Sequence, residues 1–158
     1  MSSLSRQFSE YIKSPDYPDS REIAFIDSRV SSCENLIQQA APEVRVIVLG
    51  LLADGVEAIT DVLDSSFCRQ VYLVGSGTPG CMYLGRTELS RNTLIQHEFQ
   101  LQSWFDRVDR ELETPQIYLC GCNVAAGDVG SEFLVKLHSI TGAVISASKN
   151  VYSSRVFN

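Results

Sequence analysis

Apolar positions along the chain follow two alternating periods, which predict short strands separated by helices. Glu22-Ile-Ala-Phe-Ile-Asp27 is a compact apolar run closed by an acid and reads as a buried strand. Val44-Arg-Val-Ile-Val-Leu49 is β-branched and nearly continuous, as expected of a strand covered on both faces. Val71-Tyr-Leu-Val74, Gln116-Ile-Tyr-Leu-Cys120 and Ala143-Val-Ile-Ser146 supply three more strands. Between them the spacing turns helical. Ser32 can cap a helix carrying Leu36, Ile37 and Ala40, which Pro42 closes. Asp54 can cap a second, with Val56, Ile59, Val62 and Leu63 on one face. Ser90 can cap a long helix to about Leu112, with Leu101, Phe105, Val108 and Leu112 at helical spacing. Ala126, Val129, Phe133, Leu137 and Ile140 mark a last helix, stopped by Gly142. Cys81-Met-Tyr-Leu84 and Thr87-Glu-Leu89 read as a small hairpin turning at Gly85-Arg86.

Strands that alternate with helices need crossover connections, so the predicted class is α/β, with about five mainly parallel strands. Right-handed crossovers then make a three-layer α/β/α sandwich the natural architecture. Residues 1–20, polar and interrupted by Pro15 and Pro18, are expected to be a flexible N-terminal arm. Residues 21–150 form the domain and 151–158 a polar tail. Sites on such sheets form beyond the carboxyl ends of the strands, near the switch in strand order. Asp27, Gly75-Ser-Gly-Thr-Pro-Gly80 and Gly121-Cys-Asn123 should share that rim.

Charge narrows the partners. Lys and Arg total 13 against 19 for Asp and Glu, a net −6 over 158 residues. That balance argues against nucleic acid, which needs a basic face. The longest apolar run is too short to span a bilayer and the start of the chain lacks an apolar signal region, so no membrane insertion is expected. Five cysteines, an odd and scattered count, read as free thiols of a reducing compartment, which makes cytoplasmic the expected location.

Three chemistries can be weighed at the rim. The Gly75–Gly80 run spells G-x-G-x-x-G after a strand, but a hairpin rather than a helix follows it. A dinucleotide needs that helix N-terminus, so a tight structural loop is the better reading and no cofactor is expected. Cys120-Gly-Cys122 is one close pair where a zinc site needs four ligands; Cys81 is the nearest addition, and no metal is expected. Cys122, between a strand and a helix N-terminus, sits where a thiol pKa falls and backbone donors converge. A cysteine nucleophile also needs a base. The neighbouring loop offers Ser76 and Thr78 but no imidazole. His97 lies on the long helix, and His138 about four turns, roughly 20 Å, from the rim.

The runs Ile23-Ala-Phe-Ile-Asp-Ser28, Asp54-Gly-Val-Glu-Ala-Ile-Thr60, residues 71–80, Cys120-Gly-Cys-Asn-Val-Ala-Ala-Gly127 and residues 137–148 resemble the domain of unknown function 4347. That family occurs at the N-terminal end of large bacterial, especially cyanobacterial, surface proteins. Its pattern is similar to caspase- and gingipain-type cysteine peptidases, which implies a caspase-like fold. In that class one strand ends in Ser-His-Gly and the next in Gly-Cys. The resemblance places the nucleophile at Cys122 after Gly121, and Ser-His-Gly on Gly75, Ser76 and Gly77, so Ser76 occupies the histidine position. Serine does not accept a proton near neutral pH as imidazole does. The expected function is therefore a pseudoenzyme: a degenerate peptidase-like module for protein binding or assembly, possible as a homo-oligomer. Asp27, Gly75, Gly77, Gly121 and Asn123 form its expected binding rim. The alternative is a cysteine peptidase or other thiol enzyme using Cys122 with a base from elsewhere; a small-ligand site at the Gly75–Gly80 loop is the third reading.

Overall fold

In chain order the strands are β1 (Glu22–Asp27), β2 (Arg45–Leu49), β3 (Gln70–Val74), β4 (Ser76–Thr78), β5 (Cys81–Leu84), β6 (Thr87–Ser90), β7 (Gln116–Cys120) and β8 (Val144–Ser148). The helices are α1 (Cys33–Gln39), α2 (Gly55–Leu63), α3 (Glu98–Ser103) and α4 (Gly127–Thr141), with a 3₁₀ turn at Leu94–His97. This computed structural model describes residues 21–31, 33–120 and 123–148. The expected arm, the Ser32 cap, Gly121, Cys122 and the tail lie outside the described residues.

Five strands form one sheet in the order β2-β1-β3-β7-β8, and every neighbouring pair is parallel. β1, β2 and β3 are almost wholly buried, as their unbroken apolar runs predict. One sheet face meets α2, α3 and α4 through Phe25, Leu73, Ile59, Leu101, Phe133 and Leu137. The other meets α1 through Ala24, Ile26, Val46 and Leu36. The result is the three-layer α/β/α sandwich that the alternation of elements predicts.

Local signals act where expected in two helices. Asp54 caps α2, its carboxylate accepting the Glu57 N–H at 3.1 Å, and Gly142 ends α4 by donating its N–H to the His138 carbonyl. The predicted long helix from Ser90 to Leu112 is instead broken. After Ser103 the chain winds more tightly, with the N–H groups of Trp104, Asp106 and Val108 reaching back only three residues. Adjacent Trp104 and Phe105 are both buried, and the Trp104 indole N–H is anchored on the Thr60 hydroxyl at 2.9 Å. Burying both aromatics halts the regular helix, which leaves Leu112 81% exposed. Val129, expected on the core face of α4, also faces solvent.

Candidate functional site

The order β2-β1-β3 reverses direction between β1 and β3, so the rim above Asp27 and Gly75 is the topological switch point. Asp27 ends β1 with its side chain fully buried. Its Oδ1 accepts the Arg29 backbone N–H at 2.8 Å and the Arg29 Nε–H at 3.0 Å. Its Oδ2 accepts Arg29 Nη2–H at 2.9 Å and the Gly85 N–H at 2.6 Å. Arg29 Nη2 also donates to the Gly85 carbonyl at 2.6 Å. The hydrogen bonds it donates to the Asp27 carboxylate raise the Arg29 guanidinium pKa, overcoming the opposing effect of burial. Gly85, at φ +62°, is the turn of the β5–β6 hairpin, a conformation that side chains rarely adopt. Thus a tertiary clamp fastens the hairpin over the switch point.

Beyond β3 the Gly-rich run forms β4, part of an antiparallel sheet in the order β4-β5-β6. A Cβ on Gly77 would lie 2.2 Å from the Cys81 carbonyl oxygen, and one on Gly75 would lie 2.7 Å from that of Tyr83. Close strand packing accounts for both glycines. Register aligns Ser76 with Tyr83 and Tyr83 with Glu88, and Thr78 with Cys81 and Cys81 with Ser90. These six residues share the outer face, because alternate side chains of a strand share a side. Met82, Leu84 and Leu89 alternate inward into the core. Ser76, Thr78, Tyr83 and Glu88 are exposed. The rim therefore carries a flat, small-residue polar face with one aromatic ring.

Burial raises the pKa of the Cys33, Cys68 and Cys81 thiols above the ordinary thiol value. Burial pushes Cys81 up, and its Sγ lies 3.6 Å from Glu88 Oε1. Burial pushes Cys68 up to about 12. Cys120 is buried against the Leu73 carbonyl, as expected of a core strand residue. Gly80 donates its N–H to the Val124 carbonyl at 2.7 Å, which brings the β4–β5 turn against the segment that starts α4. Asn123 in that segment has a buried Oδ1 without a hydrogen-bond donor. Val74 pairs with Cys120, so the chain leaves β3 and β7 at matching register. The structure thus brings Asp27, Gly75, Ser76 and Gly77 to the rim.

Neither histidine is joined to this face by a hydrogen bond. His138 lies in the last turn of α4, its Nδ1 2.7 Å from the Ala143 carbonyl, at the amino end of the sheet. His97 ends the 3₁₀ turn and acts on Asp54. Burial alone would raise the Asp54 carboxyl; the Glu57 N–H, the Thr87 hydroxyl and His97 together hold it below its ordinary value. Sequence reasoning missed Arg29 and Tyr83. Arg29 had a legible signal, since an Asp commonly accepts the backbone N–H two residues on. Tyr83 became part of the rim through hairpin register.

A family model for a domain of unknown function, DUF4347, matches residues 23–155. The chain belongs to the DUF4347 family. No curated protein matches it. Among solved structures, this DUF4347 domain is similar to an ADP-ribosylation-factor-like GTP-binding protein, the small COPII coat GTPase SAR1 from Encephalitozoon cuniculi in complex with GDP. The likeness has a TM-score of 0.33 and 11% identity, and covers 96% of this chain and 77% of the other. Among the described residues of the DUF4347 domain, no three His, Cys, Asp or Glu side chains are grouped to hold a metal ion. No described helix is long and apolar enough to cross a membrane.

Proposed function

We propose that this DUF4347 domain is a non-catalytic, degenerate cysteine-peptidase-like module with a caspase-like fold that engages a partner protein through its rim. The observation that carries the reading is the Asp27–Gly85 hydrogen bond, which fastens the protein's own hairpin over the switch point. That crevice is where an open α/β sheet ordinarily receives a small ligand. In its place stands a flat face where Tyr83, 37% exposed, sits among Ser76, Thr78 and Glu88. An aromatic ring among small polar side chains gives contact area and adaptable hydrogen bonding at low entropic cost, the chemistry of protein-recognition surfaces.

Hydrolysis of a peptide requires a proton for the leaving amine, and general acid–base help is worth roughly 10²–10⁴ in rate. With Ser76 at the position of the base, Cys122 lacks that transfer. The test has two arms. A peptide-library digest with wild type and Cys122→Ala should show no difference; cleavage abolished by the substitution would restore the peptidase reading. Affinity capture from source cells, repeated with Tyr83→Ala and Thr78→Arg, should lose the same bound proteins in both variants. Capture indifferent to both substitutions would remove the rim from the function.

A further inference from the structure

The outer face of the helical layer carries a socket and a knob on neighbouring elements. The socket is an open concavity of about 430 Å³, lined by Arg91 and, from α4, by Glu132, Val135, Lys136 and Ser139. Arg91 pairs with Glu132, which ties the segment leading into α3 to α4. Val135 lies between Phe133 and Leu137, both buried in the core, yet is itself 68% exposed, so its side chain points away from the sheet. α3 packs beside α4 in the same layer. Its Leu101 is buried in the core, while Phe99 is 89% exposed, the most exposed large apolar side chain among the described residues. Ile95, one turn earlier, is 53% exposed. Glu98 stands next to the ring in sequence and brings a carboxylate with it.

We infer that the socket receives Phe99 of a second copy of this chain, the two copies exchanging rings about a two-fold axis. Three observations converge on it. Ring and socket lie in one helical layer and face away from the same sheet, as two identical reciprocal contacts require. Their chemistry is complementary. An aromatic ring beside Arg91 and Lys136 gains cation–π attraction, and the aliphatic stems of those cations join Val135 as apolar walls. Charge matches as well, because Glu98 travels with the ring toward those two cations. On a chain of net −6 that match matters, since two copies repel wherever acids face acids. An aromatic side chain buries about 150–250 Å², so two rings in two sockets stay below the roughly 1,200 Å² of a stable interface. The pairing is therefore weak and transient.

Sedimentation velocity of the full chain tests this pairing. Wild type should pass from monomer to dimer between about 10 μM and about 1 mM, the range of small interfaces. Phe99→Ala removes the ring, and Val135→Glu puts a charge into the socket. Each should weaken dimerisation about thirtyfold or more. Both positions are exposed, so both variants should keep the wild-type melting curve. Mixing the two variants gives the sharpest readout. The Phe99→Ala chain retains a socket and the Val135→Glu chain retains a ring, so their heterodimer regains one contact and should form more readily than either homodimer. Wild type that stays monomeric at about 1 mM, dimers indifferent to both substitutions, or a mixture no better than its parts would overturn the inference. Species that keep growing beyond the dimer would overturn it too, since a head-to-tail contact that does not close extends into filaments.

Discussion

The carboxylate of Asp27 accepts the backbone N–H of Gly85 at 2.6 Å, joining positions 58 residues apart. One buried acid at the end of a central strand thereby holds a hairpin turn and orients Arg29, which reaches the Gly85 carbonyl in turn. The hairpin is also tied to the start of α2, where the Arg86 N–H donates to the Ala53 carbonyl at 2.8 Å and the Thr87 hydroxyl bridges the Gly55 N–H and Asp54. The antiparallel sheet has no ladder of its own to the parallel one.

Asp27→Ala should therefore destabilise by about 3 kcal/mol, because it leaves the buried Gly85 N–H without an acceptor and removes the carboxylate that orients Arg29. Arg29→Ala should cost less, near 1 kcal/mol, since that side chain is 39% exposed and water can replace it. Urea unfolding followed by circular dichroism separates the two. Equal losses would mean that Asp27 acts through Arg29 alone.

Gly77→Ala should separate β4 from β5, because the new methyl would overlap the Cys81 carbonyl. Its neighbour Ser76→Ala should change stability by less than about 0.5 kcal/mol, as exposed substitutions do. Thermal melts of the two variants provide the comparison. A neutral Gly77→Ala would show that β4 is not held as tightly as its register implies.

Cys68 sets an alkaline limit. Its thiol is raised from 9.0 to about 12 in the fold, so the unfolded chain loses that proton first. Stability from this group is complete below pH 9 and falls as pH rises toward 12, by about 1.4 kcal/mol per unit. Denaturant midpoints from pH 8 to 11 should fall more steeply for wild type than for Cys68→Val. The native thiol should also resist alkylation at pH 8.

Asp54 acts with the opposite sign. Its folded carboxyl lies below the ordinary 3.8, so its contribution is present above that pH and is lost on acidification through the folded value. Asp54→Ala should remove about 1 kcal/mol of capping at neutral pH. The difference from wild type should shrink as the pH falls below 3.8, which acid titration of the unfolding midpoint measures.

Much of this architecture was legible because a strand buried on both faces must be apolar throughout and a helix on a sheet must be apolar on one side. Those requirements mark β1, β2 and β3, α2 with its Asp54 cap, and α4 with its Gly142 stop, while β7 and the largely exposed edge strand β8 are marked only by shorter apolar runs. They also place Asp27 and Ser76 at one rim, since parallel strands end on the same side. The limit of local pattern shows at residues 98–112, where helical spacing continues in the sequence. The helix itself stops, because Trp104 needs Thr60 for its indole N–H and Phe105 needs the same core. Local pattern also left Asp27 looking like an available acid. Arg29 lies within local reach, but only the tertiary fold brings Gly85 against it, and a carboxylate filled by four donors holds structure. Tyr83 shows the same division. Alternation alone put it on one side of a hairpin, while the docking of that hairpin through Met82, Leu84 and the Asp27 clamp decided that the side faces outward from the rim. Periodicity records which side of an element is apolar; which polar groups meet across distant segments is set by packing.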